Sequence, residues 1–559
     1  MQGKEAIVRL LEKAGVEVVF GLCGDTSLPY YEAFYDLKPA IKHVLTRDER
    51  SAGYMADGYA RISGKVGVCE GPSGGGVTYI IPAVAEANQS SVPLLCLTSD
   101  IDTAHRWRGT LTEMDQDALF QSLTVYTNTP DRGSELPRTF REAFQKAVTG
   151  AMGACHIGLA LNAQTDEIED DDVFIDSRYG RYPAVRPVPD PRSVDQAVQA
   201  LLKAHKPLVV AGAGVIRSEA WNELQEFAEL LGCPVATSIS GKGAIAEDHP
   251  YALGVVGSNG GLSYRHDLVR DSDLVFFIGC ACGSVVTEKW SLPKPGSVEV
   301  MQLDVNPHVI GRSYPVSNPL VGDARLGLEA LNHALSSRLN GSGAVKWPAD
   351  LIAGLREAYM AGVEGLTSEE APIRPERFVA ELRKAMPEDG IVVCDPGTPT
   401  PFLAAYYTLP KAGRLFVTNR AHGALGYSLS ASVGAHFAQP DKKIVAVMGD
   451  GSFGFSCGEL ETIYRLKIPV VLVVVNNGIF GWIKAGQKVM GGKYFSVDFT
   501  ATDNAKIAEA FNIASRRIET VQDLAPALKW AIDLNAPVLL DVVMQPLHEA
   551  QAPVSKWIA

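Results

Sequence analysis

Two turns in the last third of the chain carry residues that could hold a metal ion and a phosphate group. Asp450 lies in a Gly-Asp-Gly-Ser turn after the apolar run 444–448, and Asn477 lies in an Asn-Asn-Gly turn after the apolar run 470–475. Each run is typical of a buried parallel strand, so both side chains are expected where open α/β sheets bind ligands. Carboxylate oxygens and side-chain amide oxygens are suitable ligands for Mg²⁺. Backbone N–H groups at a helix start bind anions such as phosphate. The alternative is two bare turns, since Asp-Gly and Asn-Gly are common turn dipeptides.

A carboxylate near the N-terminus is the second candidate for chemistry. Glu49 follows the strand-like run 41–45 and precedes a segment with helical spacing of apolar residues. An early glutamate in a helix either compensates the helix dipole or, where it faces a ligand, acts in proton transfer. Asp48 is its neighbour and the less favoured choice.

The composition of the chain limits the class of protein and the partners that these candidate residues could serve. The 559 residues are 46% apolar and 21% charged with a net charge of −13, and this length predicts about three or four globular domains. No apolar run is long enough to span a membrane, and the acidic balance without a basic patch argues against nucleic acid. Nine scattered cysteines with no CxxC pair, and an N-terminus without signal-peptide features, predict a cytoplasmic protein.

Alternating apolar runs and helix-period segments indicate the elements that must position the candidates. They predict an α/β protein with three doubly wound parallel-sheet domains. Two stretches poor in apolar periodicity, 182–191 and 340–344, separate predicted domains at 1–180, 190–338 and 350–559. The first and last domains both have functional-looking turns at strand ends, which suggests that they are related.

The sequence from GDGS to VVVNNG resembles the diphosphate and magnesium motif of the thiamine-diphosphate enzymes, in the branch with acetolactate synthase, benzoylformate decarboxylase and oxalyl-CoA decarboxylase. The resemblance covers nearly the whole chain and implies pyrimidine-binding, central and diphosphate-binding domains. It implies thiamine diphosphate and Mg²⁺ as cofactors, with Asp450, Asn477 and the Ile479 carbonyl as metal ligands. The implied cofactor-binding residues are Gly74, Gly397, Thr398, Gly423, Leu425, Gly449, Gly451, Ser452 and Ile479.

Individual roles also follow from the resemblance. Leu425 would hold the two cofactor rings in a V, and the Gly423 carbonyl would accept from the 4′-amino group. Glu49, in the segment DERSAGYMADGYAR, would hydrogen-bond the pyrimidine nitrogen N1′ and so activate the cofactor. Gln116 would be a catalytic residue that orients the substrate; its alternative is a surface polar residue. Read alone, Leu425 would be a core leucine.

The resemblance implies a carbon–carbon lyase or carboligase of the acetolactate synthase type, acting on a small 2-oxo acid with pyruvate as first candidate. Phe480 and Trp482 follow the metal motif and are predicted to line a compact substrate pocket, although an aromatic at a helix start also packs in cores. Scattered basic residues leave open an acyl-CoA substrate, and hence a 2-hydroxyacyl-CoA lyase or oxalyl-CoA decarboxylase. A catalytically silent binding or regulatory paralogue is the alternative of another class.

The central domain and the assembly complete the expectations. Flavin-binding members carry an arginine-bearing loop where this chain has Gly279–Val285 without arginine, which argues against FAD. In the family the glutamate and the metal motif of one site come from different subunits. The resemblance therefore implies a homodimer or homotetramer with active sites between subunits.

Overall fold

The computed structural model describes residues 1–340, 343–500 and 502–557. It contains three parallel six-stranded sheets with interleaved helices, which confirms the predicted α/β class. The sheets take their strands from residues 18–160, 207–321 and 391–543. The segment after residue 543, which follows the last strand of the third sheet, contacts the second domain. Asn259 of that domain forms an isolated β-bridge with Val554 of this C-terminal tail.

The first sheet has the order β2-β1-β3-β4-β6-β5. Its strands are β1 Val18–Gly21, β2 Lys42–Leu45, β3 Gly67–Gly71, β4 Leu94–Asp100, β5 Tyr126–Asn128 and β6 Ala154–Ala160. Its helices are α1 Gly3–Lys13, α2 Leu28–Leu37, α3 Glu49–Ser63, α4 Gly75–Tyr79, α5 Ile81–Gln89, α6 Gln116–Phe120, α7 Leu136–Val148 and α8 Leu161–Thr165.

The second sheet has the order β12-β11-β10-β7-β8-β9, the doubly wound order of dinucleotide-binding folds read from the opposite edge. Its strands are β7 Pro207–Ala211, β8 Val235–Thr237, β9 Ala252–Val255, β10 Leu274–Ile278, β11 Glu299–Asp304 and β12 Asn318–Val321. Its helices are α9 Pro191–Lys203, α10 Ala213–Ser218, α11 Trp221–Leu231, α12 Ser263–Asp271 and α13 Ala324–Arg338.

The third sheet has the order β14-β13-β15-β16-β18-β17. Its strands are β13 Ile391–Cys394, β14 Phe416–Thr418, β15 Ile444–Gly449, β16 Val470–Asn476, β17 Ala514–Ile518 and β18 Val538–Val543. The helices of this part of the chain are α14 Ala349–Ala361, α15 Pro375–Ala385, α16 Pro399–Tyr406, α17 Tyr427–Ala438, α18 Asp450–Ser456, α19 Leu460–Leu466, α20 Gly481–Val489, α21 Asn504–Ala510 and α22 Val521–Asp533.

The first and third sheets have the same topology. Numbered within its own sheet, each runs 2-1-3-4-6-5, and α3 and α17 each follow the second strand. These two equivalent helices pack directly against each other, with the rings of Tyr54 and Tyr427 5.3 Å apart. The Tyr427 hydroxyl donates to Asp57 at 2.5 Å, and Asp57 pairs with Arg61 at 2.7 Å. The contact fixes the first domain on the third.

Glycine makes the close approach of α3 and α17 feasible. A Cβ on Gly434 of α17 would lie 1.8 Å from the Met55 carbonyl oxygen of α3. We expect Gly434→Ala to destabilise the protein by about 1–3 kcal/mol through overpacking, seen as a lower thermal midpoint. Gly354→Ala is the matched control, because a Cβ there, inside α14, meets nothing within 4 Å; it should leave the midpoint unchanged or raise it. Equal melting of both variants would contradict the tight helix contact.

Within the described residues, no helix combines the length and apolarity needed to cross a bilayer. All nine cysteines are free thiols.

Candidate active site

Asp450 is the first residue of α18, and its carboxylate links the two turns that end β15 and β16. Oδ2 accepts from the backbone N–H of Asn477 at 2.9 Å and of Gly478 at 2.6 Å, and Oδ1 accepts from that of Gly451 at 2.8 Å. The two strands pair directly in the sheet, so the turns share one edge. Burial raises the pKa of Asp450 despite the three amide donors. A cation beside this carboxylate would offset the free-energy cost of burying its negative charge.

The structure distinguishes the two asparagines that end β16. Asn476 is buried, and its amide donates to Asp541 at 2.9 Å and to the Thr502 carbonyl at 2.7 Å. Asp541 is itself fully buried and pairs with Arg517 at 2.7 Å. Asn476 therefore anchors the strand end, while Asn477 lines the adjoining cavity.

One cavity of about 550 Å³ brings together all the candidates of the third domain. Its lining includes the following predicted cofactor, metal and substrate residues: Gly397, Thr398, Gly423, Leu425, Gly449, Asp450, Gly451, Ser452, Asn477, Ile479, Phe480 and Trp482. They come from four separate turns at one edge of the third sheet. The volume suits a cofactor with a small substrate.

Asp395 holds three of these turns in place. It is fully buried after β13 and accepts from the backbone N–H groups of Tyr427 at 2.9 Å and Ser428 at 2.8 Å. It also accepts from the hydroxyl of Ser452, whose oxygen accepts from the Gly426 N–H at 2.7 Å. Burial raises the pKa of Asp395 to about 6. The sequence did not predict this anchoring role of Asp395.

Two of the cavity glycines are required by the backbone or by packing. Gly397 has φ +98°, a conformation that other residues adopt only with strain. A Cβ on Gly451 would lie 2.8 Å from the ring of Phe480. Phe480 in turn contacts Phe499, with ring centroids 5.2 Å apart, and Trp482 packs on Trp557 of the C-terminal tail at 4.5 Å. Phe480 and Trp482, each packed on a second aromatic ring, thus form part of the cavity wall.

Glu49 is the first residue of α3 and does not line this cavity within its own chain. Asp48 caps the helix by accepting from the N–H groups of Arg50 at 2.8 Å and Ser51 at 3.3 Å, which leaves the Glu49 carboxylate available. The glycine-rich turn lies directly against it: a Cβ on Gly76 would be 3.0 Å from Glu49 Oε1. Burial, assisted by the Asp48 charge, raises the pKa of Glu49.

Gly74 and Gln116 also lie in the first domain, away from this cavity. Gly74 precedes α4 with φ +70°, in the turn that contacts Glu49. Gln116 is buried, so the alternative of a surface polar residue is wrong. Its amide accepts from the Thr98 hydroxyl and donates to the Ser99 carbonyl at 2.9 Å. The substrate-orienting role of Gln116 stays a prediction.

Comparison with known proteins places the three sheets in one family. Residues 1–119 match the N-terminal TPP binding domain of thiamine pyrophosphate enzymes, residues 194–331 match the central domain, and residues 395–542 match the C-terminal TPP binding domain. The chain belongs to the thiamine pyrophosphate enzyme family. It is a member of the acetolactate synthase-like branch and a thiamine-pyrophosphate-dependent enzyme.

The relatives of this family member extend over almost the whole chain. It is 33% identical to a probable acetolactate synthase large subunit from Methanococcus aeolicus, over 98% of this chain and 92% of the relative. It is 30% identical to the acetolactate synthase large subunit of Corynebacterium glutamicum, over 97% of this chain and 87% of the relative. Glyoxylate carboligase from Escherichia coli O157:H7 is 28% identical, over 98% and 93%.

The cavity fits the diphosphate end of thiamine diphosphate with its metal. Gly449 and Gly451 add no side chain to the turn, and Asp450 offers a partly buried carboxylate that pairs with no cation among the described residues. Nor do the described residues contain a cluster of three His, Cys, Asp or Glu side chains that could hold a metal. A Mg²⁺ site here would rely on one carboxylate, one amide and one carbonyl, completed by phosphate and water.

The cavity lining also includes residues to which the sequence assigned no role at this site, among them Asn259, Ser284, Val285, Arg420 and His422. The first three belong to the second domain, and only tertiary packing brings them to the third. Arg420 and His422 immediately precede Gly423, so their position beside a predicted cofactor residue was the one available signal.

Proposed function

We propose that this thiamine pyrophosphate enzyme is a Mg²⁺-dependent carbon–carbon lyase or carboligase acting on a small 2-oxo acid, with pyruvate as first candidate substrate. The supporting observation is the convergence of the metal, diphosphate and ring-contacting candidates on one cavity of about 550 Å³. The aromatic walls at Phe480 and Trp482 favour a compact substrate. The acetolactate synthase and glyoxylate carboligase relatives are named for reactions of this type.

Each side chain has a defined task in this proposal. Thiamine diphosphate, when bound, would supply a cationic thiazolium ring that takes up the electron pair of a breaking carbon–carbon bond. Asp450, Asn477 and the Ile479 carbonyl hold Mg²⁺, and the turn amides hold the diphosphate. Leu425 and the Gly423 carbonyl orient the two rings. Glu49 holds a proton at the pyrimidine nitrogen, a task favoured by its raised pKa.

We infer that each active site lies between two subunits, with Glu49, Gly74 and Gln116 supplied by the partner. This is supported by the position of Glu49 outside its own chain's cavity. Mixing and reassembling Glu49→Gln and Asp450→Ala subunits should restore about a quarter of the wild-type activity, because half the dimers then hold one intact site. Mixtures as inactive as the separate variants would show that both residues act in the same chain's site. Sedimentation analysis distinguishes dimer from tetramer.

The reaction is tested by CO₂ release from a panel of small 2-oxo acids headed by pyruvate, with and without thiamine diphosphate and Mg²⁺, followed by product analysis. Cofactor-dependent release is the expected result, and acetolactate among the products would identify carboligation. Cofactor binding without release would favour a 2-hydroxyacyl-CoA lyase or oxalyl-CoA decarboxylase. CO₂ release from oxalyl-CoA tests for the decarboxylase, and aldehyde release from a 2-hydroxyacyl-CoA tests for the lyase. A protein that binds the cofactor but converts neither class would be a silent paralogue.

We infer that the central domain works without FAD. The loop Gly279–Val285 after β10 carries no arginine, and Cys280 and Cys282 in it are buried. The purified protein should show no flavin absorbance near 450 nm. Tightly bound flavin released on denaturation would refute this.

A further inference from the structure

Arg420 is partly buried and forms no ion pair with a carboxylate among the described residues. Its Nε is buried and lacks a hydrogen-bond partner. Neighbouring arginines differ: Arg61 pairs with Asp57 at 2.7 Å, and Arg414 pairs with Glu219 at 3.5 Å. No ion pair among residues 1–340, 343–500 and 502–557 includes Arg420. Because a buried donor on a charged group is costly when it has no partner, this guanidinium fits a site that a bound anion completes.

Glu86, in α5, lies near Arg420 but is committed to other groups. It accepts from Arg61 at 3.1 Å and from the backbone N–H groups of Arg420 at 3.1 Å and His422 at 2.7 Å. Burial opposes its ionisation, but Arg61 and these amides outweigh that effect and lower the pKa of Glu86. The Glu86 carboxylate therefore holds the loop through backbone N–H groups, and no hydrogen bond joins it to the Arg420 guanidinium among the described residues.

Asn259 directs the guanidinium towards the cofactor cavity. It is 1% exposed, and with its amide oxygen towards the arginine that oxygen accepts from Arg420 Nη2 at 2.8 Å, while the amide nitrogen donates to Ser258 at 3.3 Å. Arg420 also borders a second cavity of about 360 Å³, but Asn259 lines only the cofactor cavity. The Nη2 atom of Arg420 thus lies on the side of the cavity that is lined by Asp450 and Leu425.

We propose that Arg420, oriented by Asn259, binds the carboxylate of the acceptor 2-oxo acid, which makes it a specificity-determining residue for carboligation. The inference rests on the proposed function. The planar guanidinium matches a carboxylate bidentately. Arg420 suits the carboxylate of the acceptor better than that of the donor. The donor carboxylate leaves as neutral CO₂, and a cation beside it would stabilise the starting anion and slow decarboxylation. The acceptor keeps its carboxylate throughout.

Binding of oxamate, an unreactive isostere of pyruvate, tests the anion site without turnover. Calorimetry on protein loaded with thiamine diphosphate and Mg²⁺ should show oxamate affinity falling by about 10- to 100-fold in Arg420→Gln, as expected for a lost charge-assisted hydrogen-bond pair. Arg420→Lys should lose less, and Asn259→Ala should weaken oxamate binding more mildly. Arg178→Gln, which removes an exposed charge, is the control. Thermal midpoints and cofactor affinity check folding.

A competition between acceptors tests the assignment to the acceptor. With one 2-oxo acid donor, wild-type enzyme is given 2-oxobutanoate or the neutral aldehyde propanal. Arg420→Gln should reduce kcat/KM for 2-oxobutanoate by about 10- to 100-fold relative to propanal, with donor CO₂ release in a single turnover unchanged. Equal losses for both acceptors, or a loss confined to CO₂ release, would overturn the assignment.

The two experiments separate failure of this inference from failure of the proposed function. Arg420-dependent oxamate binding by a protein without 2-oxo acid turnover would reject the reaction and keep the anion site. Turnover of 2-oxo acids with oxamate binding unchanged in both Arg420→Gln and Asn259→Ala would reject the anion site alone. Loss of oxamate binding in Arg420→Gln but not in Asn259→Ala would move the anion to the second cavity and also overturn the proposal.

Discussion

Replacing Glu49 by Gln is expected to lower turnover by about 10³-fold while folding and thiamine diphosphate binding remain intact. The amide keeps the size of the side chain but can no longer exchange a proton with the pyrimidine nitrogen, and proton transfer of this kind contributes about 10²- to 10⁴-fold. Single-turnover and steady-state rates, with calorimetric titration of the cofactor, measure both parts of the prediction.

The stability of the Glu49→Gln variant has an expected sign. Burial raises the pKa of Glu49, so the folded state favours the neutral carboxyl group. The free energy of unfolding that protonation of Glu49 contributes is fully present below the unfolded-state pKa. This contribution is lost as the pH rises through the folded-state pKa. At neutral pH the neutral glutamine should therefore leave the thermal midpoint unchanged or raise it. A large fall in the midpoint would mean that the lost turnover reports damage to the fold.

Asp48→Asn is the matched control for Glu49→Gln. It removes the adjacent carboxylate, yet asparagine caps helices as well as aspartate does, so the N–H groups of Arg50 and Ser51 keep an acceptor. Turnover should stay within a few-fold of wild type. A larger loss in Asp48→Asn than in Glu49→Gln would transfer the activating role to Asp48.

Replacing Asp450 by Ala is expected to abolish the dependence of cofactor binding on Mg²⁺, with at least about a 100-fold loss of apparent metal affinity, because even residues that only support a metal ligand contribute 10- to 100-fold. The site has one carboxylate to offer, and hydrated Mg²⁺ needs it to remain bound. Calorimetric titration of thiamine diphosphate at several Mg²⁺ concentrations provides the measurement.

Two further variants isolate the metal contribution of Asp450. Since the carboxylate also accepts from three backbone N–H groups, Asp450→Ala loosens the turns as well; Asp450→Asn retains one acceptor oxygen and should still lose the metal dependence. Asp441→Ala removes an exposed charge near β15 and should bind the cofactor normally. Undiminished Mg²⁺-dependent binding in both Asp450 variants would refute the metal site.

Much of the fold and of the cavity is local enough to be predicted. The runs 444–448 and 470–475 are strands in the structure, and α3 begins at Glu49, which the sequence predicted to lie near a helix start. The turns around Asp450, Gly423 and Gly397 meet because parallel strands all end at the same edge of a sheet. Strand order itself is set by packing between distant segments, so the sequence only suggested that the first and last domains are related, and the structure supplied their shared 2-1-3-4-6-5 order.

By itself the sequence determined the α/β class, the strand–turn–helix units and the residue types that a diphosphate and a metal require, because these depend on apolar periodicity and on turn chemistry within a few residues. The tertiary structure decided which asparagine faces the cavity, since Asp541 captures Asn476. It also decided that Asn259 reaches Arg420 from another domain and that Glu49 lies outside its own chain's cavity. Contacts between residues far apart in sequence depend on how the sheets and helices pack, which no local pattern encodes.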